Sequence, residues 1–325
     1  MTKFLVIGDP HFKEGNINET DEMKNKILSV IDEHNPDIIV CLGDVLHYHN
    51  KLETSHLNRA EDFLKKLQDK RKLFLIIGNH DRPNNSVFLT DEHPFNALKY
   101  WDNTTVVDYP CDTIFNNYRF IFVPYVFPGR FHEALSKLKD PYNCKCIFAH
   151  QEFYGAKMGS IESTEGDVWK LDNPLVVSGH VHEYDKLQEN LIYTGTPIQH
   201  TFGENGKKTI SIFDFDEYGY RETRIDLKLR KKKTTKIKPS CLDELNIDLN
   251  DKNRLVIECS AEEFKVIMKS QKIISMIESG VKVQHKDNSV NYSLVECNEN
   301  FIIALHNRIK NNIRLTKLLN EIIIK

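Results

Sequence analysis

The sequence predicts an α/β fold, and three observations support this expectation. Short apolar runs, each the length of a buried strand, recur at residues 4–7, 37–42 and 73–77. Apolar residues at helical spacing fill the intervals between them, which indicates alternating strands and helices. Each run ends in a glycine followed by polar residues, and α/β sheets bind ligands at the carboxyl ends of their strands. We therefore expect parallel strands that bring their polar ends to one edge.

The composition is that of an ordinary globular chain. Hydrophobic residues make up 40% and charged residues 28% of the 325 residues. No apolar run is long enough to span a bilayer, and the N-terminus turns polar too early for a signal peptide. The seven cysteines are odd in number and scattered, unlike a disulfide framework. We expect a reducing, intracellular setting (cytoplasm, nucleus or a viral replication site) and no membrane association.

Charge is divided unevenly along the chain. The net charge is −3, but residues 1–227 carry −10 and residues 228–325 carry +7. An acidic half is expected where carboxylates gather cations. A basic half suits a polyanionic partner, although a solvated basic surface is the simpler alternative.

The first two strands each deliver polar side chains to the predicted edge. Pro10 ends the first strand, so Asp9 and His11 lie on its exit loop and, two residues apart, point the same way. A helix over residues 20–33 then returns the chain to a second, parallel strand that closes on Asp44. His47, three residues later, could reach the same place or lie on the surface.

The third strand and two later strands repeat the pattern. After a helix over residues 55–69, the third strand ends in Gly78, Asn79, His80 and Asp81, residues that on their own would indicate a plain turn. Two apolar runs in the second half of the chain end in the histidines His150, His180 and His182. Five strand ends therefore supply polar side chains to one edge.

Residues 228–240 are predicted to form a basic linker between a domain over residues 1–227 and a smaller one over residues 241–325. The basic run could be a solvated segment or a contact to a phosphate backbone, and it consists of Arg230, Lys231, Lys232 and Lys233. Beyond it, a strand at 254–259, a helix at 261–276 and a strand at 280–285 indicate a small C-terminal α/β capping domain. A closing helix over residues 300–324 could pack on this cap or bind a partner helix.

The strand ends offer enough nitrogen and oxygen ligands for two metal ions. The candidate ligands are Asp9, His11, Asp44, Asn79, His150, His180 and His182. This mixed set suits Mn, Fe or Zn better than Ca, and we expect two divalent ions, Mn²⁺ first, with Fe, Zn or Mg as alternatives. Two ions about 3.5–4 Å apart need a bridging carboxylate, for which we choose Asp44. Such a pair can clamp a phosphate and activate a water, while His80 orients the phosphate or protonates the leaving oxygen.

Five motif blocks occur in an order that resembles the calcineurin-like metallophosphoesterase superfamily. They are Asp9-Pro10-His11, Gly43-Asp44, Gly78-Asn79-His80-Asp81, His150 and Gly179-His180-Val181-His182. The resemblance implies a four-layer α/β/β/α sandwich with His80 as the catalytic histidine. It also implies one metal bound by Asp9, His11, Asp44 and His182, and a second bound by Asp44, Asn79, His150 and His180. Asp81 would support His80.

Within this superfamily, the loop from Gly43 to His47 resembles that of the SbcD and Mre-type double-strand-break nucleases, including phage and viral recombination endonuclease subunits. These relatives carry a histidine at the position of His47. The run over residues 193–204 and the capping segment are also similar, whereas Ala149 stands where many relatives have glycine. The resemblance implies DNA phosphodiester hydrolysis, exonucleolytic or endonucleolytic, with His47 assisting catalysis. It also implies DNA, an SbcC-type ABC ATPase and a second copy of the chain as candidate partners.

Two other functions compete with a DNA nuclease. A nucleotide or small-molecule phosphodiesterase would be saturated by a cyclic or dinucleotide and would be indifferent to loss of the basic run. A catalytically inactive scaffold predicts missing ligands, yet every position is filled. A phosphoprotein substrate is disfavoured, because protein phosphatases of the superfamily show Arg-Gly-Asn-His-Glu, whereas Ile77 and Asp81 flank the motif here.

Overall fold

The computed structural model describes residues 1–49, 51–159, 161–204 and 207–287, together with Leu315. The described chain forms two compact units. The first comprises Met1–Thr234 and Asp248–Arg254, and the second comprises Thr235–Ile247 and the chain from Leu255 onward. Apart from Leu315, the helix predicted over residues 300–324 lies outside the described residues.

Strands dominate the described chain, and five helices accompany them. The strands are β1 (Thr2–Ile7), β2 (Ile38–Cys41), β3 (Lys72–Ile76), β4 (Thr104–Val107), β5 (Cys111–Phe115), β6 (Tyr118–Val123), β7 (Cys146–His150), β8 (Lys157–Met158), β9 (Ile161–Glu162), β10 (Leu175–Gly179), β11 (Asp185–Gln188), β12 (Leu191–Tyr193), β13 (Thr209–Phe215), β14 (Tyr220–Asp226), β15 (Lys232–Ile237), β16 (Lys252–Cys259) and β17 (Lys282–Asp287). The helices are α1 (Ile17–His34), α2 (Thr54–Lys70), α3 (Phe131–Leu135), α4 (Ala261–Ile267) and α5 (Gln271–Glu278). None of the described helices is long and apolar enough to cross a membrane.

Two six-stranded sheets form the first unit. One has the order β14-β13-β1-β2-β3-β4 and the other β11-β12-β10-β7-β6-β5. In the first sheet β1 to β4 run parallel, and in the second β12, β10, β7 and β6 do. Their carboxyl ends therefore meet at one edge of each sheet, where the predicted site residues lie.

The side chains of β1 show how the layers form. Leu5 and Ile7 pack into the core under α1 and α2, whereas Phe4 and Val6 face the second sheet, as the period-two geometry of a strand requires. The Phe4 ring lies 4.6 Å from that of Phe120 on β6, measured between centroids. On the far side of the second sheet, α3 and its neighbouring loops cover a third core. The predicted α/β fold is confirmed, and its fourth layer is thin because α3 has only five residues.

The second unit has its own small core under the three-stranded sheet β15-β16-β17. Strand β16 alternates, so that Leu255, Ile257 and Cys259 are buried on one face. The structure differs from the sequence prediction in two places. The predicted linker includes strand β15, and the predicted helix over 261–276 is two helices, because the Ser270 side chain accepts a hydrogen bond from the backbone N–H of Ile273 and caps a new start.

Candidate metal centre and active site

Three of the predicted ligands converge at the end of β1. Ligand atoms of Asp9, His11 and His182 all lie within 4.8 Å of one another. His11 Nε2 and His182 Nε2 are 3.0 Å apart. Asp9 and His11 follow β1 on the first sheet, and His182 follows β10 on the second, so this group joins the two sheets.

A second group of predicted ligands forms at the ends of β2, β3, β7 and β10. Ligand atoms of Asp44, His150 and His180 also lie within 4.8 Å of one another. Asn79 Oδ1 is 2.9 Å from His150 Nε2 and 2.9 Å from His180 Nδ1. The structure thus brings all seven predicted ligands together, in the two sets that the resemblance implied; their binding of metal remains a prediction.

Asp44 lies between the two groups. Its Oδ2 is 3.7 Å from His11 Nε2 in the first group and 3.5 Å from His150 Nε2 in the second. Its Oδ1 accepts a hydrogen bond from the backbone N–H of His80, 2.8 Å away, which fixes the carboxylate. This position suits a carboxylate that bridges two ions.

The four histidine ligands are oriented through their outer nitrogens. Those of His150 and His11 face backbone carbonyls, with His150 Nδ1 2.9 Å from the Leu42 oxygen and His11 Nδ1 3.3 Å from the Leu46 oxygen. The outer nitrogens of the other two face carboxylates: His180 Nε2 is 3.7 Å from Glu152, and His182 Nδ1 is 3.5 Å from Glu204. Such partners fix the tautomer and leave the inner nitrogen free to bind metal.

The chemistry of this donor set fits divalent cations. When the outer nitrogens donate their protons, the inner nitrogens of His11 and His182 present two lone pairs to each other at 3.0 Å. Asn79 Oδ1 likewise meets inner nitrogens of two histidines. Asp9 Oδ1 is buried and has no hydrogen-bond partner within the described chain. Divalent cations bound at the two groups would accept these converging lone pairs.

Burial sets the electrostatics of the two carboxylates. Burial raises the pKa of Asp9 above its ordinary value, against the opposing charge of His150. Burial also acts to raise the pKa of Asp44, but His150 and His11 outweigh it and hold this pKa well below the usual range. For His150, burial is outweighed by Asp44 and Asp9, and its pKa rises to about 9. The protein groups therefore leave Asp9 short of positive charge, which a divalent ion would supply.

His80 stands beside the two groups and is reachable from solvent. Its side chain is 27% exposed, and its Nε2 lies 3.9 Å from Asp44 Oδ2. Its Nδ1 is 2.6 Å from the backbone oxygen of His47, so Nδ1 donates and Nε2 faces the site. The His47 ring lies parallel to the His80 ring at 5.6 Å, and the His49 ring stacks on the His80 ring at 4.3 Å.

Asp81 was expected to support His80, and the structure gives it a different task. Its Oδ1 accepts from the backbone N–H of Leu46 at 3.0 Å, and its Oδ2 accepts from that of Gly78 at 3.1 Å. The His80 ring is instead held by the carbonyl of His47. Asp81 therefore ties the loop after β2 to the loop after β3, and its buried carboxyl also interacts electrostatically with Asp44.

The basic run is largely engaged within the chain. Arg230 donates to the backbone oxygens of Asn250 and Leu249, and Lys233 Nζ pairs with Asp251 at 2.6 Å. Lys232 Nζ donates to the backbone oxygen of His200 at 3.0 Å. The Lys231 side chain is exposed and remains available to a polyanion. Lys232 and Lys233 begin strand β15, where successive side chains face opposite sides, whereas Arg230 and Lys231 precede this strand.

Three supporting residues were not identified from the sequence. His200 is buried beneath the first group, with Nε2 3.0 Å from the backbone oxygen of Asp9. Glu204 and Glu152 orient two ligand histidines, as described above. The pKa of Glu204 is held below its ordinary value by His182 and Lys208, although burial opposes this. His200 and Glu204 lie far from any strand end in sequence, whereas Glu152 follows His150 at the end of β7 by two residues, the spacing that also separates Asp9 from His11.

The backbone of the site adopts uncommon conformations. His11, Asp44 and His180 have φ values of 46°, 48° and 80°, in the left-handed region that residues other than glycine seldom occupy. A β-carbon on Gly179 would lie 2.5 Å from Asp9 Oδ1, and one on Gly78 would overlap Asp44 Oδ1. The glycines before the polar residues therefore make room for the carboxylates.

A cavity of about 950 Å³ opens over the site. Asp44, Asn79, His80 and His180 line its floor, and Lys157–Gly159 and Thr201–Glu204 contribute walls. Lys157–Gly159 belong to the segment between β7 and β10, which thus contributes to the cavity.

The model of the calcineurin-like phosphoesterase family matches residues 2–184, more than half of the chain. This chain belongs to the calcineurin-like phosphoesterases. Phosphoester hydrolysis at a divalent-metal centre is the activity of this family. Both ligand groups lie within the matched residues.

Two viral proteins are similar over most of the chain. "Putative phosphoesterase 244L" of Invertebrate iridescent virus 6 is 42% identical over 83% of this chain and 98% of its own length. "Putative phosphoesterase 078R" of Invertebrate iridescent virus 3 is 38% identical over 87% of this chain and 83% of its own length. Among solved structures, Yfce, a phosphoesterase from E. coli, is 12% identical and covers 66% of this chain and 88% of its own, with a TM-score of 0.35. That overlap is too low to add to the family assignment.

Proposed function

We propose that this phosphoesterase hydrolyses DNA phosphodiester bonds with two divalent ions, as a nuclease of the recombination and repair type. The position of His47 supports the proposal most directly. It follows the bridging Asp44 by three residues, and its ring and carbonyl both face His80. This is the residue on which the resemblance to the SbcD and Mre-type nucleases rests.

The chain's own groups account for the proton transfer. Ions bound by the seven ligands would polarise the phosphate and lower the pKa of a water molecule. His80 Nδ1 donates to the His47 carbonyl, so only Nε2 can exchange a proton with the substrate. When Nε2 is protonated, it can donate its proton to the leaving oxygen, and Asp44 Oδ2 lies 3.9 Å from it. The carbonyl fixes the direction in which Nε2 points.

The metal, the partners and the setting form part of this proposal. The mixed carboxylate, imidazole and amide set favours Mn²⁺, Fe or Zn over Ca²⁺, and we propose Mn²⁺. An SbcC-type ABC ATPase and a second copy of the chain are proposed from the resemblance alone, and co-purification and light scattering test them. The six described cysteines are free thiols, which is compatible with the proposed reducing compartment.

A nucleotide or small-molecule phosphodiesterase is the second candidate. The cavity of about 950 Å³ falls within the range of small-ligand sites, about 300–1,000 Å³, which favours this alternative. The printed names of the two viral relatives specify only a phosphoesterase.

One assay separates the two candidates. The purified protein is incubated with linear double-stranded DNA, single-stranded DNA, a cyclic dinucleotide and bis(p-nitrophenyl) phosphate, each with Mn²⁺, Mg²⁺, Zn²⁺ or Fe²⁺. We expect DNA cleavage with Mn²⁺, and we expect His80→Ala to lower kcat by about 100-fold or more while Mn²⁺ still binds. His34→Ala, at the end of α1, is the matched control. Turnover of small diesters without cleavage of DNA under any metal would contradict the proposal.

A further inference from the structure

Lys13 is a half-buried cation at the margin of the active site. It follows Phe12, whose backbone N–H donates to the Val45 oxygen at 2.7 Å and so fixes this loop beside the one that bears His47. The backbone N–H of Lys13 donates to the Asn16 side chain at 3.1 Å. These two hydrogen bonds fix the backbone from which the Lys13 side chain extends.

The ammonium group of Lys13 has fewer hydrogen-bond partners than donors. It offers three N–H donors, and its one hydrogen-bond partner in the described chain is His47 Nε2, 3.5 Å away. No carboxylate in the described chain lies within ion-pair distance of it. Lysines elsewhere differ, since Lys24 pairs with Asp62 at 2.6 Å and Lys65 with Asp69 at 2.6 Å. A partly buried cation without an acidic partner indicates an anionic ligand.

The charges around Lys13 are also positive on balance. The charges of Lys13 and Lys252 both act on Lys232, and so does the carboxylate of Glu19. Glu19 is itself paired with Lys252. Glu204 is occupied by Lys208 at 2.9 Å and by backbone N–H groups of His200 and Thr201. Neither carboxylate forms an ion pair with Lys13, although the charge of Glu204 acts on it from a greater distance.

We propose that Lys13 binds a phosphate that flanks the scissile phosphate on the same nucleic acid strand. His47 separates Lys13 from the first ligand group, because its two ring nitrogens contact Lys13 on one side and His11 at 3.4 Å on the other. The rings of His47 and His11 thus lie between the predicted metal site and the cation, which suits a phosphate other than the scissile one. The inference rests on the proposed function, because a mononucleotide diester has no second phosphate to bind.

The test compares substrates with and without the flanking phosphate. Wild type and Lys13→Ala are assayed with Mn²⁺ on the dinucleotide TpT, on its 5′- and 3′-phosphorylated forms and on bis(p-nitrophenyl) phosphate. We expect wild type to prefer one phosphorylated form by about tenfold or more and Lys13→Ala to lose most of that preference. For a single-stranded oligonucleotide, the slope of log KM against log salt should fall by about one. Lys13→Arg should retain most of the preference, and Lys65→Ala is the matched control.

Three outcomes would overturn the inference. If Lys13→Ala cleaves DNA with the wild-type KM and salt dependence, Lys13 does not bind the strand. If the variant loses as much kcat/KM on bis(p-nitrophenyl) phosphate as on the phosphorylated dinucleotide, Lys13 acts at the scissile phosphate or supports His47. If wild type cleaves bis(p-nitrophenyl) phosphate but neither DNA nor the dinucleotides, the proposed function fails, and the inference fails with it.

Discussion

Single residues in this site are constrained by how closely backbone and carboxylate approach each other. Asp44 is the centre of that constraint, because its two oxygens serve both ligand groups and the backbone of His80. The Asp44 carboxylate can lie this close to the backbone after β3 only because Gly78 has no β-carbon. Gly78 therefore supports the predicted metal site by leaving room for the Asp44 carboxylate.

Replacing Gly78 by alanine should disable the site while the sheets remain folded. The new β-carbon would overlap Asp44 Oδ1 and displace the proposed bridge. We expect Mn²⁺ affinity to fall by at least tenfold and diesterase activity by at least 100-fold, measured by calorimetric titration and with bis(p-nitrophenyl) phosphate. Gly15→Ala is the control, because nothing lies within 4 Å of its β-carbon position. Wild-type affinity in Gly78→Ala would show that Asp44 is not needed at its present position.

At the level of secondary structure elements, aromatic side chains between the sheets hold the two halves of the site together. Phe4 of β1 contacts Phe120 of β6 and Phe148 of β7, with ring centroids 4.6 Å and 5.0 Å apart. It also meets Phe215 of β13 edge-on at 5.6 Å. The ligands on the first sheet are therefore aligned with those on the second by a rigid core.

Phe4→Ala should lower the free energy of unfolding by about 3–5 kcal/mol, because it leaves a cavity between the sheets that neither can close alone. Denaturant titration followed by circular dichroism measures the change. Tyr218→Ala, at a side chain that is 91% exposed, should change the value by less than about 0.5 kcal/mol. A loss below 1 kcal/mol for Phe4→Ala would mean that the sheets repack freely.

Asp108 gives the end of β4 a dependence on pH. Burial acts to raise its pKa, but hydrogen bonds from His93 and Lys99 outweigh burial and lower it. A carboxyl with a lowered folded-state pKa stabilises the protein above its unfolded-state pKa, near 3.9, and this stabilisation is lost as the pH falls through the folded-state value.

Asp108→Asn should therefore cost about 1–3 kcal/mol near neutral pH, and the difference from wild type should shrink below about pH 4. Denaturant titrations from pH 3 to pH 7.5 measure it. Asp226→Asn, on an exposed strand end, controls for the loss of one charge. A difference that is constant across this range would assign the effect to packing.

At the level of the whole molecule, the predicted metal site connects two sheets that otherwise meet mainly through apolar side chains. Asp9, Asp44 and Asn79 extend from the first sheet, and the three ligand histidines after β7 and β10 extend from the second. Ions bound here would crosslink the sheets and stabilise the folded state over the unfolded one.

Removing divalent ions by chelation should lower the melting temperature and abolish diesterase activity while the far-ultraviolet spectrum stays the same. At a free Mn²⁺ concentration 100 times its Kd, the stabilisation is about 2.7 kcal/mol per site. Calorimetry of the chelated protein, before and after Mn²⁺ is restored, measures it. An unchanged melting temperature would contradict this prediction, because an ion that binds only the folded state must raise it.

Much of this arrangement follows from local sequence patterns. The apolar runs with polar ends predicted the strands β1, β2, β3, β7 and β10 and placed all seven candidate ligands at their carboxyl ends, because strand direction determines where each strand ends. The roles of His200 and Glu204 could not be predicted, because they depend on how a loop folds back, whereas Glu152 follows the end of β7 by two residues. Asp81 was assigned by its proximity to His80 in sequence, whereas its carboxylate reaches backbone N–H groups of two loops. The sequence shows only the charge of the basic run. The partners of Lys232 and Lys233 follow from their place in strand β15, next to residues that are distant in sequence.

The left-handed backbone at His11, Asp44 and His180 has a consequence for the history of such chains. Each of these conformations is strained for a residue with a side chain, by about 1–3 kcal/mol, and glycine would relieve it. While the reaction is selected, the strained residues are kept. A descendant that no longer needs the reaction would become more stable by replacing them. We therefore expect inactive descendants to diverge first at positions 11, 44 and 180, while the strands around them still look like those of an enzyme.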